Sequence, residues 1–540
     1  MKRLLILSLI LLSNKASAQR TVCTVTLNSE HERSLFKRKY EKENLKFVEL
    51  TDFKNGLKDP NDWFDNACKS GVKCDSLIIS GHFGGTFFGE DTSLTLSLKT
   101  LEKKACSRTC EGILSQPKEV YLFGCNTLAD KKADRRTPAE YRRILQDDGI
   151  AEGYMNRIVA ARYSPVGESF KTTMRKVFAG VPQIYGFDSV GPSGKTVSSF
   201  LNSYLNKIPN YAERLNQLEA AKVVSQIEKT GKIGTQFSGP WNSSMKGTAY
   251  ASCVGATPGP RKECGLSDDK KSDFEKLLTV ESLLNDGNRK NHFLAIEEFF
   301  KDKDLSRLSS DERQVLERIH NNKQASQELL SLLPQLNSVL ETKFPLVNLA
   351  QTLGWMDEKS AKDEYFKTVS LSLKKGLNGD TIGSLCYINN PPIFSESQIK
   401  PEWFNNTKFL TVLGCWQNNK AQMLPPHYVT NITKHLNSKD ADTTTSALKI
   451  LSPNLKADPA LQRNVAKLLY SEDLNIAAAA MSALASIRNP DAETISLIAK
   501  GLLSPNPAEQ KRSAYTIMNM KIQNPDLKRR ALEIDPSIKP

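Results

Sequence analysis

Two residues of this chain stand where a thiol and its base would have to stand. His82 follows the apolar run Leu77-Ile78-Ile79 in CDSLIISGHFGG, and Cys125 follows Val120-Tyr121-Leu122-Phe123 in KEVYLFGCNTLAD, 43 residues later. Short apolar runs ended by turn residues read as strands buried in a parallel sheet. Open α/β sheets build their sites at the carboxyl edge, so the two turns predict a shared edge. An imidazole there takes the proton of a nearby thiol, and the thiolate is the nucleophile. Either residue alone is ordinary, because buried Cys is a common core residue and strand-end His usually packs. The pair, in order at matching strand ends, points to a dyad.

On these residues the chain resembles the caspase-like cysteine peptidases, the superfamily of caspases, clostripain, gingipains and CHAT-domain proteases. Their shared pattern is an apolar strand ending in His near glycine, then a second ending in Cys, about 50 residues apart in caspases. LFGCNTLA is most similar to the CHAT form, and GESFKTTMRKVFAGVPQIYGFDS matches the helix and strand that follow the Cys there. The resemblance covers residues 20 to 240 and rests on short motifs. It implies a cysteine endopeptidase with His82 as general base and Cys125 as nucleophile. The amide of Cys125, with one from Gly84 or Gly85, is implied to hold the oxyanion. It also implies an acidic group in the primary pocket, Asp188 or its rival Asp130, and hence a basic residue on the acyl side of the cut. The plain alternative for Asp188 is a turn residue. Lys131-Lys132 and Arg135-Arg136-Thr137-Pro138 match the region where clostripain-like relatives cut themselves, or else form an exposed charged loop. One departure stands out: Phe83 follows the His where many relatives have Gly. That favours a second reading, an inactive domain serving as a protein-binding scaffold.

Strands and helices must alternate to place such a site. Thr21–Leu27, Leu45–Thr51, the two runs before His82 and Cys125, and Val181–Ser189 read as strands with polar helices between them. The fold class expected is α/β, a caspase-like, mostly parallel sheet sandwiched by helices, over residues 19–240. Residues 241–266 read as an irregular linker rich in Gly, Ser and Pro, stapled by Cys253 and Cys264. From 267 to 540 the pattern is helical. Within 430–535 a 33-residue step is visible: Lys434, Lys467 and Lys500; Leu436, Leu469 and Leu502; Asp440, Asp473 and Asn506; Ala447, Ala480 and Ser513; Leu451, Leu484 and Ile517. This resembles HEAT-like repeats, whose small residues let helices stack closely and whose surfaces commonly bind protein partners.

The 540 residues are enough for more than one domain, and 39% hydrophobic with 25% charged content is that of a soluble globular chain. Lys2-Arg3, the run Leu4–Leu12 and Ala16-Ser17-Ala18 read as a secretory signal over 1–18. Cys does not follow that site, so no lipid anchor is expected, and no later run is long enough to span a membrane. The product expected is exported, periplasmic or secreted, with a protein or peptide substrate. The net charge of +14 comes without a dense arginine-aromatic cluster, so nucleic acid is not an expected partner.

Ten cysteines in an exported chain suggest disulfides. Proximity in sequence suggests Cys68–Cys74, Cys106–Cys110, Cys253–Cys264 and Cys386–Cys415, leaving Cys23 and Cys125 as thiols. CSRTC lacks a second pair and a nearby His, so no metal is expected. Gly194-Lys195-Thr196 imitates a phosphate loop, but Ser189 stands where that loop needs Gly. It reads as a surface turn, and no cofactor is expected.

Overall fold

A computed structural model describes residues 19–538, apart from 90–92, 132–135, 148–149, 151, 193, 228–234, 257–260, 302, 338, 375, 378–381, 383–384, 387–392, 420–421 and 521. The expected leader at 1–18, Lys132 and Arg135 lie outside the described residues. The chain divides into two compact units, the first ending at Trp355 and the second beginning at Met356.

The first unit is mixed α/β. Its main sheet contains β1 (Arg20–Thr26), β2 (Leu45–Glu49), β3 (Ser76–Ser80), β7 (Glu119–Phe123), β8 (Gln183–Phe187) and β9 (Thr248–Ala251), in the order β2-β1-β3-β7-β8-β9. All neighbouring pairs are parallel except β8 with β9. Every residue of β3, β7 and β8 is buried. Alternate side chains point to opposite faces, as the strand period demands. Leu77, Ile79, Val120, Leu122 and Ile184 enter one core, while Ile78, Tyr121, Phe123, Tyr185 and Phe187 enter the other. A second, antiparallel sheet of β4 (His82–Phe83), β5 (Thr86–Phe88) and β6 (Thr95–Ser97) follows β3 directly.

At the start of β7 a charge is buried with its partner. Glu119 is wholly inaccessible, and its Oε2 accepts from Arg214 Nε at 2.8 Å. Tyr121 donates to Glu119 Oε1 at 2.8 Å, and the guanidinium also reaches the Tyr204 hydroxyl and the Phe237 carbonyl, both at 3.2 Å. A buried pair of this kind adds little net stability, but removing one partner strands the other.

Two sequence expectations are corrected here. The segment expected as an irregular linker supplies β9 as an edge strand, and Trp241 before it is buried with its Nε1 donating to the Gly186 carbonyl at 3.1 Å. A four-residue edge strand in Gly- and Ser-rich sequence leaves almost no periodic signal, yet it covers the open edge of β8. The first unit also continues past residue 267 to Trp355. Its helices are tied to the α/β part by the Cys106–Cys264 disulfide and by Gly167 donating to the Lys290 carbonyl at 3.1 Å.

The disulfides also differ from expectation. Cys23–Cys74, Cys68–Cys110, Cys106–Cys264 and Cys386–Cys415 form, so of the pairs expected only the last is present. Parallel strands bring residues distant in sequence side by side: Cys23 lies in β1, and Cys74 just precedes its neighbour β3. Cys253 does not staple the linker. It is buried as a thiol, and its amide donates to the Val181 carbonyl at 3.1 Å.

The second unit is helical. Helices begin at Pro426, Pro459, Ala492 and Pro525, and alternate with others beginning at Ala441, Leu474 and Pro507, each series stepping by 33 residues. Asp440, Asp473 and Asn506 are N-caps whose side chains accept amides of the first turn, satisfying otherwise unpaired donors. Ala447, Ala480 and Ser513 are each fully buried where these helices pack on one another. No helix among the described residues is long and apolar enough to cross a membrane.

Arg214→Met should leave the Glu119 carboxylate uncompensated and cost about 3–5 kcal/mol, read as a lowered denaturation midpoint; an unchanged midpoint would show the pair to be dispensable. Ala480→Leu should cost about 1–3 kcal/mol by overpacking, whereas Leu at the exposed Ala478 should be near neutral. Equal effects in chemical denaturation would deny close helix packing at the repeat position.

Candidate active site

The β3 and β7 register sets the site. Ser80 pairs with Phe123, and each strand then breaks, so His82 and Cys125 both stand two residues past paired positions at one sheet edge. The turns touch. Gly81 donates to the Phe123 carbonyl at 3.0 Å, and a Cβ on Gly124 would lie 2.7 Å from the Gly81 carbonyl oxygen and 2.9 Å from Phe83 Cβ. The residues on either side of His82 therefore abut the residue before Cys125, and only glycine fits between them. His82 is half-buried, its ring 5.3 Å from that of Phe88, which stacks on Tyr154 at 4.1 Å.

Each residue of GCNT has a distinct task. Cys125 is 8% exposed, and its thiol donates to the Gly191 carbonyl at 3.7 Å. Asn126 takes a positive φ of 61°, uncommon for a side-chain-bearing residue, and its amide donates to the Ser189 carbonyl at 2.7 Å. Thr127 accepts the Phe187 amide at 3.2 Å and donates to the Leu122 carbonyl at 3.3 Å, joining the loop to β8. The chain thus turns sharply at the end of β7 and holds the sulfur at the edge, a geometry suited to a nucleophile.

A second layer was not visible in the sequence. The Tyr141 hydroxyl donates to Asn126 Oδ1, and the Arg136 and Arg162 guanidinium groups lie over the Tyr141 ring, each 4.7 Å from its centre. Burial pushes the Tyr141 hydroxyl up to about 12, against the pull of the two arginines, so it remains a donor at neutral pH. Asn126 is wholly buried, and its Nδ2 has no hydrogen-bond partner among the described residues. Only a helical pattern around Tyr141 is legible in sequence; nothing there links it to Cys125.

The remaining candidates are placed less simply. Gly84 and Gly85 form the tip of the β4–β5 hairpin, where the Gly84 amide donates to the Thr86 carbonyl at 3.3 Å and Gly85 has φ 84°. The Gly84 amide, one of the two that the resemblance assigns to the oxyanion, thus has a turn partner. Phe83 is fully buried against Phe87 and Phe170. Asp188 directly follows β8 and is exposed overall, with its carboxyl raised above the usual value by partial desolvation against the pull of Arg162, Lys171 and Arg136. Asp130 is half-buried and accepts the Lys131 amide at 2.8 Å.

In the loop expected as a processing site, Lys131 is anchored rather than exposed. Its ammonium donates to the Ser164 and Val166 carbonyls at 2.7 and 2.6 Å, and burial, with Lys290 nearby, lowers its pKa to about 8. The Gly194 amide donates to Glu32 Oε1 at 3.0 Å, so the imitation phosphate loop faces a carboxylate. Among the described residues no cluster of three or more His, Cys, Asp or Glu side chains is arranged to hold a metal ion.

No family model matches the chain, and no curated protein does. The crystal structure of an engineered protein aligns with 52% of this chain and 72% of its own, at 15% identity and a TM-score of 0.18, too low to bear on fold or function.

The two thiols outside the disulfides differ. Cys253 is wholly buried, and desolvation pushes its pKa up to about 12, while Cys125 sits at the sheet edge. Iodoacetamide at pH 8 should therefore modify native Cys125 at least about ten-fold faster than Cys253, because the thiolate is the reacting form. Peptide mapping that found equal rates would contradict this ordering.

Proposed function

We propose that this chain is an exported cysteine endopeptidase of the caspase-like type, with His82 and Cys125 as its dyad. The observation that carries the reading is the register: the His and Cys turns leave adjacent parallel strands at the same step and abut through Gly124. His82 takes the thiol proton, and the Cys125 thiolate attacks the scissile carbonyl to give an acyl-enzyme. His82 then returns the proton to the leaving amine, and water completes hydrolysis. Asn126 and Tyr141 hold the turn that presents the sulfur.

The Cys125 amide is the proposed oxyanion donor. A second donor from Gly84, rather than from Gly85, would require its long bond to Thr86 to open when substrate binds. Four disulfides support an oxidising compartment, in line with the leader read from the sequence. The 33-residue helix pairs support a HEAT-like solenoid, a surface suited to a protein partner.

The engaged Gly84 amide and buried Phe83 favour one rival, a caspase-like fold without activity that acts as a scaffold. A peptide acyloxymethyl ketone separates the two. The peptidase should be labelled on Cys125, with His82→Ala reducing the labelling rate by about 10²-fold or more and Cys253→Ala leaving it unchanged. Labelling indifferent to His82 would favour the scaffold.

A further inference from the structure

The β4–β5 hairpin has two unlike faces, because alternate strand residues point opposite ways. Phe83 and Phe87, opposite each other in the register, are wholly buried. His82 and Phe88 form the neighbouring pair and are only half-buried, their rings 5.3 Å apart. The stack continues outward from the dyad. Tyr154, from the helix Glu152–Tyr163, lies 4.1 Å beyond Phe88 with its ring 10° from parallel, and it too is half-buried. Arg157, one turn along that helix, closes the far end: its guanidinium lies 5.9 Å from the centre of the Tyr154 ring and donates to Thr86 Oγ1 at 3.4 Å. A continuous aromatic surface thus begins at His82 and remains partly open to solvent.

Sheet order decides which side of the dyad this surface occupies. β3, β7 and β8 are consecutive, so the Cys125 turn stands between the β8 turn and the His82 turn. The thiol is directed to the β8 side, where it donates to the Gly191 carbonyl at 3.7 Å. The helix Glu152–Tyr163 reaches both flanks, since its Arg162 donates to the Asp188 carbonyl just past β8 while its Tyr154 stacks on the His82 hairpin. Phe88 and Tyr154 therefore lie on the His82 side of the sulfur.

We infer, resting on the peptidase reading above, that Phe88 and Tyr154 form the subsite for the first residue of the leaving segment and select a large apolar or aromatic side chain there. His82 returns the proton to the leaving nitrogen, so that nitrogen must come within hydrogen-bond reach of the imidazole. The side chain of the first leaving residue starts two bonds from the same nitrogen and is placed beside the ring that packs on His82. The next residue of an extended peptide points the opposite way. Aromatic pairs gain attraction beyond the area they bury, so the stacked rings favour an aromatic guest over a small polar one.

The test digests a mixed-sequence peptide library with the full chain and reads the cut positions by mass spectrometry. It then measures kcat/KM on internally quenched peptides that differ only in the residue after the cut. Phe there should be favoured over Ser by about ten-fold. Tyr154→Ala should lower the Phe-to-Ser ratio severalfold, and Tyr154→Phe should keep it. Should Tyr154→Ala fold poorly, Tyr154→Gln, which keeps bulk beside Gly84 and removes the ring, should lower the ratio as well. A ratio taken within one variant is independent of how much of that variant is folded. Labelling of Cys125 by the acyloxymethyl ketone separates this inference from the reading beneath it. A chain that labels and cleaves without preferring Phe over Ser, or whose ratio is unmoved by Tyr154→Gln, overturns the subsite alone. A chain that neither labels nor cleaves overturns both.

Discussion

The parallel register of β3 on β7 is the constraint on which the site depends. A slip of one residue would move every side chain of β7 to the opposite face, exchanging the Tyr121 and Phe123 core for the Val120 and Leu122 core. The register is held at both ends. Below, the buried Glu119 carboxylate is fixed by Arg214 and Tyr121, so β7 cannot slide without stranding a charge. Above, Gly124 wedges against Gly81 and Phe83 with no room for a side chain. His82 and Cys125 inherit their relation from these two anchors.

Packing at the edge explains why so many small and aromatic residues gather there. Phe83, occupying the position after the His, is consumed by the core beside Phe87 and Phe170, so the chain must turn at Gly84-Gly85 to return as β5. Gly84 has its own restriction, since a Cβ there would lie 2.5 Å from Tyr154 Cβ. On the other side, Tyr141 joins Asn126 to the two arginines that flank Asp188. Cations outnumber the acid in that neighbourhood.

The second unit follows a different principle. Its helices repeat because each 33-residue step supplies the same three things: a capping Asp or Asn, a buried leucine at the end of one helix, and a small residue in the middle of the next. Small buried residues let neighbouring helices approach closely, and the caps fix where each helix starts. Contacts between neighbours in sequence suffice to define such a unit, which is why its period can be read directly.

What the sequence determined by itself was local or periodic. The five main-sheet strands before residue 190 appear in apolar runs bounded by turns, the helix starts of the second unit in their 33-residue step, and the strand-end positions of His82 and Cys125 in their turn residues, whereas the small β4–β6 sheet does not show in the sequence pattern. Tertiary structure decided what depends on distant partners. Disulfide pairing followed the sheet order rather than sequence distance, joining Cys23 to Cys74 and Cys106 to Cys264. β9 formed because β8 offered an open edge, although its own residues carry no strand signal. Tyr141, Arg136 and Arg162 gathered around Asn126 and Asp188 through packing of a helical region on the sheet edge. Lys131 turned inward to two carbonyls more than thirty residues away. Periodicity records which face of an element is apolar; which other element covers that face is set by the energy of the whole packed core.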